Sequence, residues 1–211
     1  MKAFKLVLPA AALMAACVSV PSSTRAQDSA AAPLAATIAA SPPAAPALDQ
    51  GRIAFERGDH ATAASILKPL AEQGQAEAQY LLGRILAAGR GLRLDYKDAY
   101  SWYAKAAVQG HAKGTCRAAL LKAHGQGVTK DKAQAGQACI PATFQVRAAA
   151  EQGDADAQAL LGTLLLEGIG LDSNDSQALT WLRKAADQGQ AGAQQALGYA
   201  YVNGIGSGKD T

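Results

Sequence analysis

Ser65 and Lys68 stand three residues apart in Ser65-Ile66-Leu67-Lys68. On a helix that spacing brings a hydroxyl and an amine to one face, where a lysine can activate a serine for acyl transfer. Such chemistry also needs Ser-Asp-Asn and Lys-Thr-Gly elements around a shared pocket. Neither string occurs in the chain, so both residues are expected on an ordinary amphipathic helix. Gly204-Ile205-Gly206-Ser207-Gly208-Lys209 has the composition of a phosphate-binding loop, but its first glycine is misplaced. No Ser or Thr follows the lysine, and a helix rather than a strand precedes it. His60, His111 and His124 fall in different segments, and no carboxylate or cysteine joins two of them at metal-ligand spacing. No catalytic residue, metal or cofactor is therefore expected.

Internal repetition explains these residues better than chemistry does. Gln75–Gly110 and Asp154–Gly189 are two versions of one 36-residue segment. Laid together, Ala78 meets Ala157, Gly83 meets Gly162, Gly89 and Gly91 meet Gly168 and Gly170, and Trp102 meets Trp181. A period of this length is the mark of stacked supersecondary units. The spacing predicts helix A over about 76–88, with Ala78, Leu81, Leu82 and Ile85 on one face. Glycines then end it, and Asp95 and Asp98 open helix B. Trp102 and Tyr103 are expected to face inward, the two tryptophans as core anchors rather than stacking platforms. Glycine inside a helix costs about 1 kcal/mol, so its recurrence at 83, 162 and 198 predicts close backbone approach by a neighbouring helix.

The remaining units are less regular. Residues 48–74 read as a divergent first helix pair and 190–211 as an incomplete last unit. The middle unit, 111–153, keeps Gly125, Gly127 and Asp131 but has 43 residues, and Ala119 replaces the helix A glycine. Pro141 predicts an irregular bulge around 139–145, with Phe144 filling the place the tryptophan leaves.

The chain has 211 residues and a net charge of +3, with acids and bases intermixed. That leaves no basic stripe for nucleic acid. Lys2, Lys5 and the apolar run Leu6–Ala16 have the form of an export signal. The run is too short to span a bilayer, which takes roughly 18 apolar residues. Two processing sites are open: Leu13-Met14-Ala15-Ala16-Cys17 has the form of a lipoprotein signal (1–16) with a lipid anchor at Cys17. Thr24-Arg25-Ala26 suits a cut that removes 1–26. Both imply a periplasmic or envelope location. Residues 27–47, rich in Ala and Pro, read as a disordered linker to a repeat domain at 48–211. In an oxidising compartment Cys116 and Cys139 are expected as a disulfide, with two free buried cysteines as the alternative.

The string A-x-A-Q-x-x-L-G, then G-x-G, then D, then A-x-x-W-Y-x-K-A-A-x-Q-G resembles the Sel1-like repeat, a relative of the tetratricopeptide repeat. The match spans about 75–206. The resemblance implies an all-α, right-handed α-solenoid of antiparallel helix pairs, acting as a non-enzymatic adaptor for a protein partner. It carries a second possibility, since some cysteine-rich members bind β-lactam or cell-wall compounds. The groove of such a stack is lined by helix A. The residues flanking its buried face, Tyr80, Arg84, Thr115, Thr163, Gln195 and Tyr199, are the expected partner-binding set, with Tyr80, Arg84 and Tyr199 foremost.

Overall fold

The computed structural model describes residues 44–205; the segment read as an export signal, Cys17, most of the stretch read as a linker and residues 206–211 lie outside them. The described residues form α1 (Ala44–Glu56), α2 (His60–Glu72), α3 (Ala76–Ala88), α4 (Tyr96–Val108) and α5 (Ala112–His124). They continue as α6 (Lys132–Glu151), α7 (Ala155–Glu167), α8 (Asp175–Asp187) and α9 (Ala191–Val202), and no strand is present among them. Each helix packs on the next in sequence, so the pairs α1–α2, α3–α4, α5–α6 and α7–α8 stack with α9 against α8. The odd-numbered helices are A-type and the even-numbered ones B-type.

The repeat dictates where helices start and stop. Asp59, Asp95, Asp131 and Asn174 each accept a bond from a backbone N–H three residues on, capping the four full B helices. Gly89, Gly125 and Gly168 take left-handed angles and end the A helices. The second glycine of each loop is an inter-unit contact. A Cβ on Gly91 would lie 2.6 Å from the backbone of His60 and Ala61, and one on Gly127 2.3 Å from that of Tyr96.

Two glutamine relays bind successive units. Gln79 Nε2 donates to the Ala71 carbonyl (3.0 Å), and Gln109 Nε2 donates to Gln79 Oε1 (2.8 Å). Gln158 and Gln188 repeat the arrangement onto Ala150, at the same distances. These side chains add a second donor to carbonyls at the end of the preceding B helix, which already accept from the backbone N–H groups of Gly74 (3.0 Å) and Gly153 (3.1 Å).

Several expectations change. The helical region begins at Ala44, not 48, because Pro46 falls in the first turn, where its missing N–H is harmless. The middle unit makes no bulge: α6 is one helix of 20 residues running through Pro141, against 13 for α4 and α8. Its seven extra residues are close to two helical turns, so the inward face keeps its phase. Ala135, Cys139, Ala142, Val146 and Ala150 are all buried along it. That packing offsets the roughly 3 kcal/mol a proline costs inside a helix. Counted 36 residues back, Cys139 takes the place of Tyr103 against the A helix of its own unit. Counted 43 back, it takes the place of Tyr96, and Gly170 lies against Cys139 and Ile140 as Gly127 lies against Tyr96 and Lys97. The first turns of α6 thus serve α5 and its last turns serve α7.

Phe144 fills no pocket; it is 79% exposed. Trp102 and Trp181 are half-buried, each beneath a lysine (Lys105 Nζ 3.9 Å and Lys184 Nζ 4.5 Å from the ring centres). The residues that seal the core are the next ones along, Tyr103 and Leu182. They also explain two glycines: a Cβ on Gly83 would lie 2.7 Å from the Tyr103 ring, and one on Gly162 2.6 Å from Leu182. Gly198 has nothing within 4 Å, since no B helix follows α9 among the described residues.

Candidate partner-binding concavity

The A helices and the loops beside them line a common hollow of about 830 Å³. Arg52 and Phe55 reach it from α1, His60 from α2, and Glu77, Tyr80 and Arg84 from α3. Lys113 and Arg117 come from α5, Asp154 and Asp156 from the start of α7, and Gln188, Gln190 and Gln195 from the α8–α9 end. Its size is that of an ordinary ligand or peptide site.

Asp156 is the hub. Arg84 Nη2 lies 3.1 Å and Arg117 Nη2 2.9 Å from its Oδ1, and Lys113 Nζ lies 3.7 Å from its Oδ2. The Tyr80 hydroxyl donates to the same Oδ2. One carboxylate therefore draws together side chains from three successive A helices. Burial alone would raise its pKa, but Arg84, Arg117 and Lys113 together hold it well below the usual carboxylate range. The Tyr80 phenol is driven the other way, well above its ordinary value, by burial and by the Asp156 charge. Burial likewise pushes Tyr103 up to about 12.

Asp154 has two duties. One oxygen caps α7 by accepting from the backbone N–H groups of Asp156 and Ala157, both at 2.9 Å, and the other pairs with Lys113 Nζ at 2.8 Å. His111 does similar work for α5. Its Nδ1 accepts from the Gly114 N–H (3.0 Å), which leaves Nε2 as the donor to Glu77 at 2.9 Å. That bond from His111 holds the Glu77 carboxyl below its ordinary pKa. The His111 ring stacks on Tyr80 with centres 4.5 Å apart, and the Arg84 guanidinium lies 4.6 Å above the Phe55 ring.

Of the six residues expected to bind a partner, Arg84 and Gln195 line the hollow. Tyr80 lies at its floor but is wholly buried, its hydroxyl spent on Asp156, so it offers a partner no surface. Thr115 and Thr163 are half-buried and give their hydroxyls to carbonyls of their own helices, His111 at 3.2 Å and Ala159 at 2.9 Å. Tyr199 is 67% exposed but stands outside the lining. The structure joins Cys116 to Cys139, with sulfurs 1.98 Å apart. Thirty-six residues earlier the same two positions hold Tyr80 and Tyr103, whose rings lie 5.9 Å apart. Ser65 is exposed and donates to the Thr62 carbonyl at 2.8 Å, and neither it nor Lys68 lines the hollow.

The hub residues had a sequence signal. Arg117 occupies the register position of Leu81 and Leu160, and a lone arginine in a leucine column needs a buried acid. Glu77, Lys113 and Asp156 share another column, in alternating sign along the stack. The site thus lies in the residues that differ between repeats, not in the ones they share.

Stacked helix pairs with a concave face built from one helix of each pair define a helical-repeat solenoid. The Sel1 repeat model matches residues 76–111, 112–137, 155–190 and 191–211, more than half of the chain. The chain belongs to the Sel1 repeat family. The interruption between 137 and 155 coincides with the lengthened part of α6. Among solved structures it is similar to a Sel1 repeat protein from Oxalobacter formigenes, at 32% identity and a TM-score of 0.42, over 76% of this chain and 61% of that one. It is also similar to c5321, a protective antigen of uropathogenic Escherichia coli strains displaying an SLR fold. There the identity is 24% and the TM-score 0.43, over 80% of this chain and 44% of that one. The chain thus covers about three fifths of the first protein and under half of the second.

Proposed function

We propose that the protein is a non-catalytic scaffold of the bacterial cell envelope that holds a protein partner in the hollow of its A helices. The observation that carries this reading is the hollow itself. Five A-type helices contribute to it, and its charged side chains are anchored by the Asp156 hub yet about a fifth exposed (Arg84 19%, Lys113 21%, Arg117 24%). Anchored but reachable groups are those a binding surface uses, because little side-chain freedom is left to lose on association. Export rests on the basic-apolar start of the chain, with Cys17 lipidation or cleavage after Ala26 as its two routes. The pairing of Cys116 with Cys139 accords with an oxidising compartment.

A photo-crosslinking side chain placed in turn at Gln195, inside the hollow, and at Phe144, outside it, tests the assignment in cells. A discrete protein adduct from Gln195 and none from Phe144 is the expected result. The same adduct from both positions, or from Phe144 alone, contradicts it.

A further inference from the structure

We infer that the segment held in this hollow is an acidic stretch of peptide with spaced carboxylates, received by Arg84, Arg90, Lys113 and Arg117. This deepens the scaffold reading and rests on it.

A carboxylate has about four lone-pair sites, and Asp156 already faces Tyr80, Arg84, Arg117 and Lys113. Tyr80 and Arg117 hydrogen-bond to it, and Arg84 and Lys113 stand as ion pairs at 3.1 and 3.7 Å, so both of its oxygens are crowded while the guanidiniums keep N–H donors to spare. Each guanidinium has five N–H donors, and among the described residues Arg84 and Arg117 each engage acids only through Nη2. Arg117 Nε is buried with no partner at all. Arg90, on the exposed loop after α3, also lines the hollow and makes no ion pair among the described residues. Arg84, Arg90 and Arg117 thus hold more N–H donors than the acids beside them take up, and an incoming carboxylate can accept the remainder.

The occupant is a peptide rather than a continuous polyanion because the lining also carries Glu56, Glu77, Asp154 and Asp156. These would repel an unbroken run of negative charge but tolerate carboxylates separated by neutral residues. Gln188 and Gln195 at the α9 end can bond a peptide backbone.

Fluorescence anisotropy with a labelled octapeptide of alternating glutamate and glycine, its glutamine counterpart and inorganic polyphosphate as competitor tests the inference. The glutamate peptide is expected to bind about tenfold or more tighter than the glutamine one at low salt, and to lose that margin as salt screens the charges. Arg90→Glu, which leaves the hub untouched, should weaken it by about tenfold, with an unchanged melting curve. Equal binding of the glutamate and glutamine peptides would overturn the charge preference while leaving a peptide-binding scaffold intact. Undiminished binding to Arg90→Glu, displacement by polyphosphate at lower concentration than by unlabelled peptide, or no peptide binding would each overturn the inference.

Discussion

Asp156 concentrates the residue-scale energetics. Replacing it by asparagine leaves Arg84, Arg117 and Lys113 around a neutral group. Removing one partner of a fully buried pair costs 3–5 kcal/mol; with the cations about a fifth exposed, the expected loss is about 2 kcal/mol. The sign of the pH dependence follows from the depressed pKa of Asp156. A carboxyl held below its unfolded value, about 3.9, stabilises the fold fully above that pH and progressively less as the pH falls toward the folded value. Urea unfolding of wild type and Asp156→Asn should therefore differ most near neutral pH, with a gap that narrows below about pH 4. A gap independent of pH would show that the carboxylate charge is not what the cluster uses.

Helices show where reading the chain succeeded and where it failed. The caps and the αL glycines follow from local rules and were legible; at Gly83 close packing was legible, but what comes nearest is the Tyr103 ring rather than a helix backbone. The continuity of α6 was not, because Pro141 is a breaker only until the packing of a 20-residue helix outweighs it. The tryptophans misled for a related reason: a shared large residue reads as core, yet the phase of α4 and α8 gives the sealed position to Tyr103 and Leu182. The hub is marked only by residues that break the repeat, Arg117 in a leucine column and Asp156 in one of alternating sign, and their pairing across 39 residues appears once the units are stacked. The disulfide belongs to this scale too, as it ties α5 to α6 across a separation of 23 residues. Closing a loop of that length constrains the unfolded chain by about 3 kcal/mol. Alkylation of unreduced, denatured protein should label neither Cys116 nor Cys139, and reduction should lower the urea midpoint. Quantitative labelling of both would refute the bond.

At the scale of the repeat domain, 44–205, a stack of this kind is held by contacts between neighbouring units, so its curvature is the sum of many small angles. Such a rod bends easily unless something spans more than one interface. Asp156 does so, reaching from the third full unit to Tyr80 and Arg84 in the first, across the degenerate unit that supplies Lys113 and Arg117. On the scaffold reading proposed above, this brace keeps the hollow preformed, so that binding needs no reorganisation. Pulsed electron spin resonance with spin labels at Glu56 and Gln195, on opposite flanks of the hollow, measures it most directly. One narrow distance distribution is expected in the wild type, broadening in Asp156→Asn. A distribution already broad in the wild type, or one indifferent to the substitution, would contradict it.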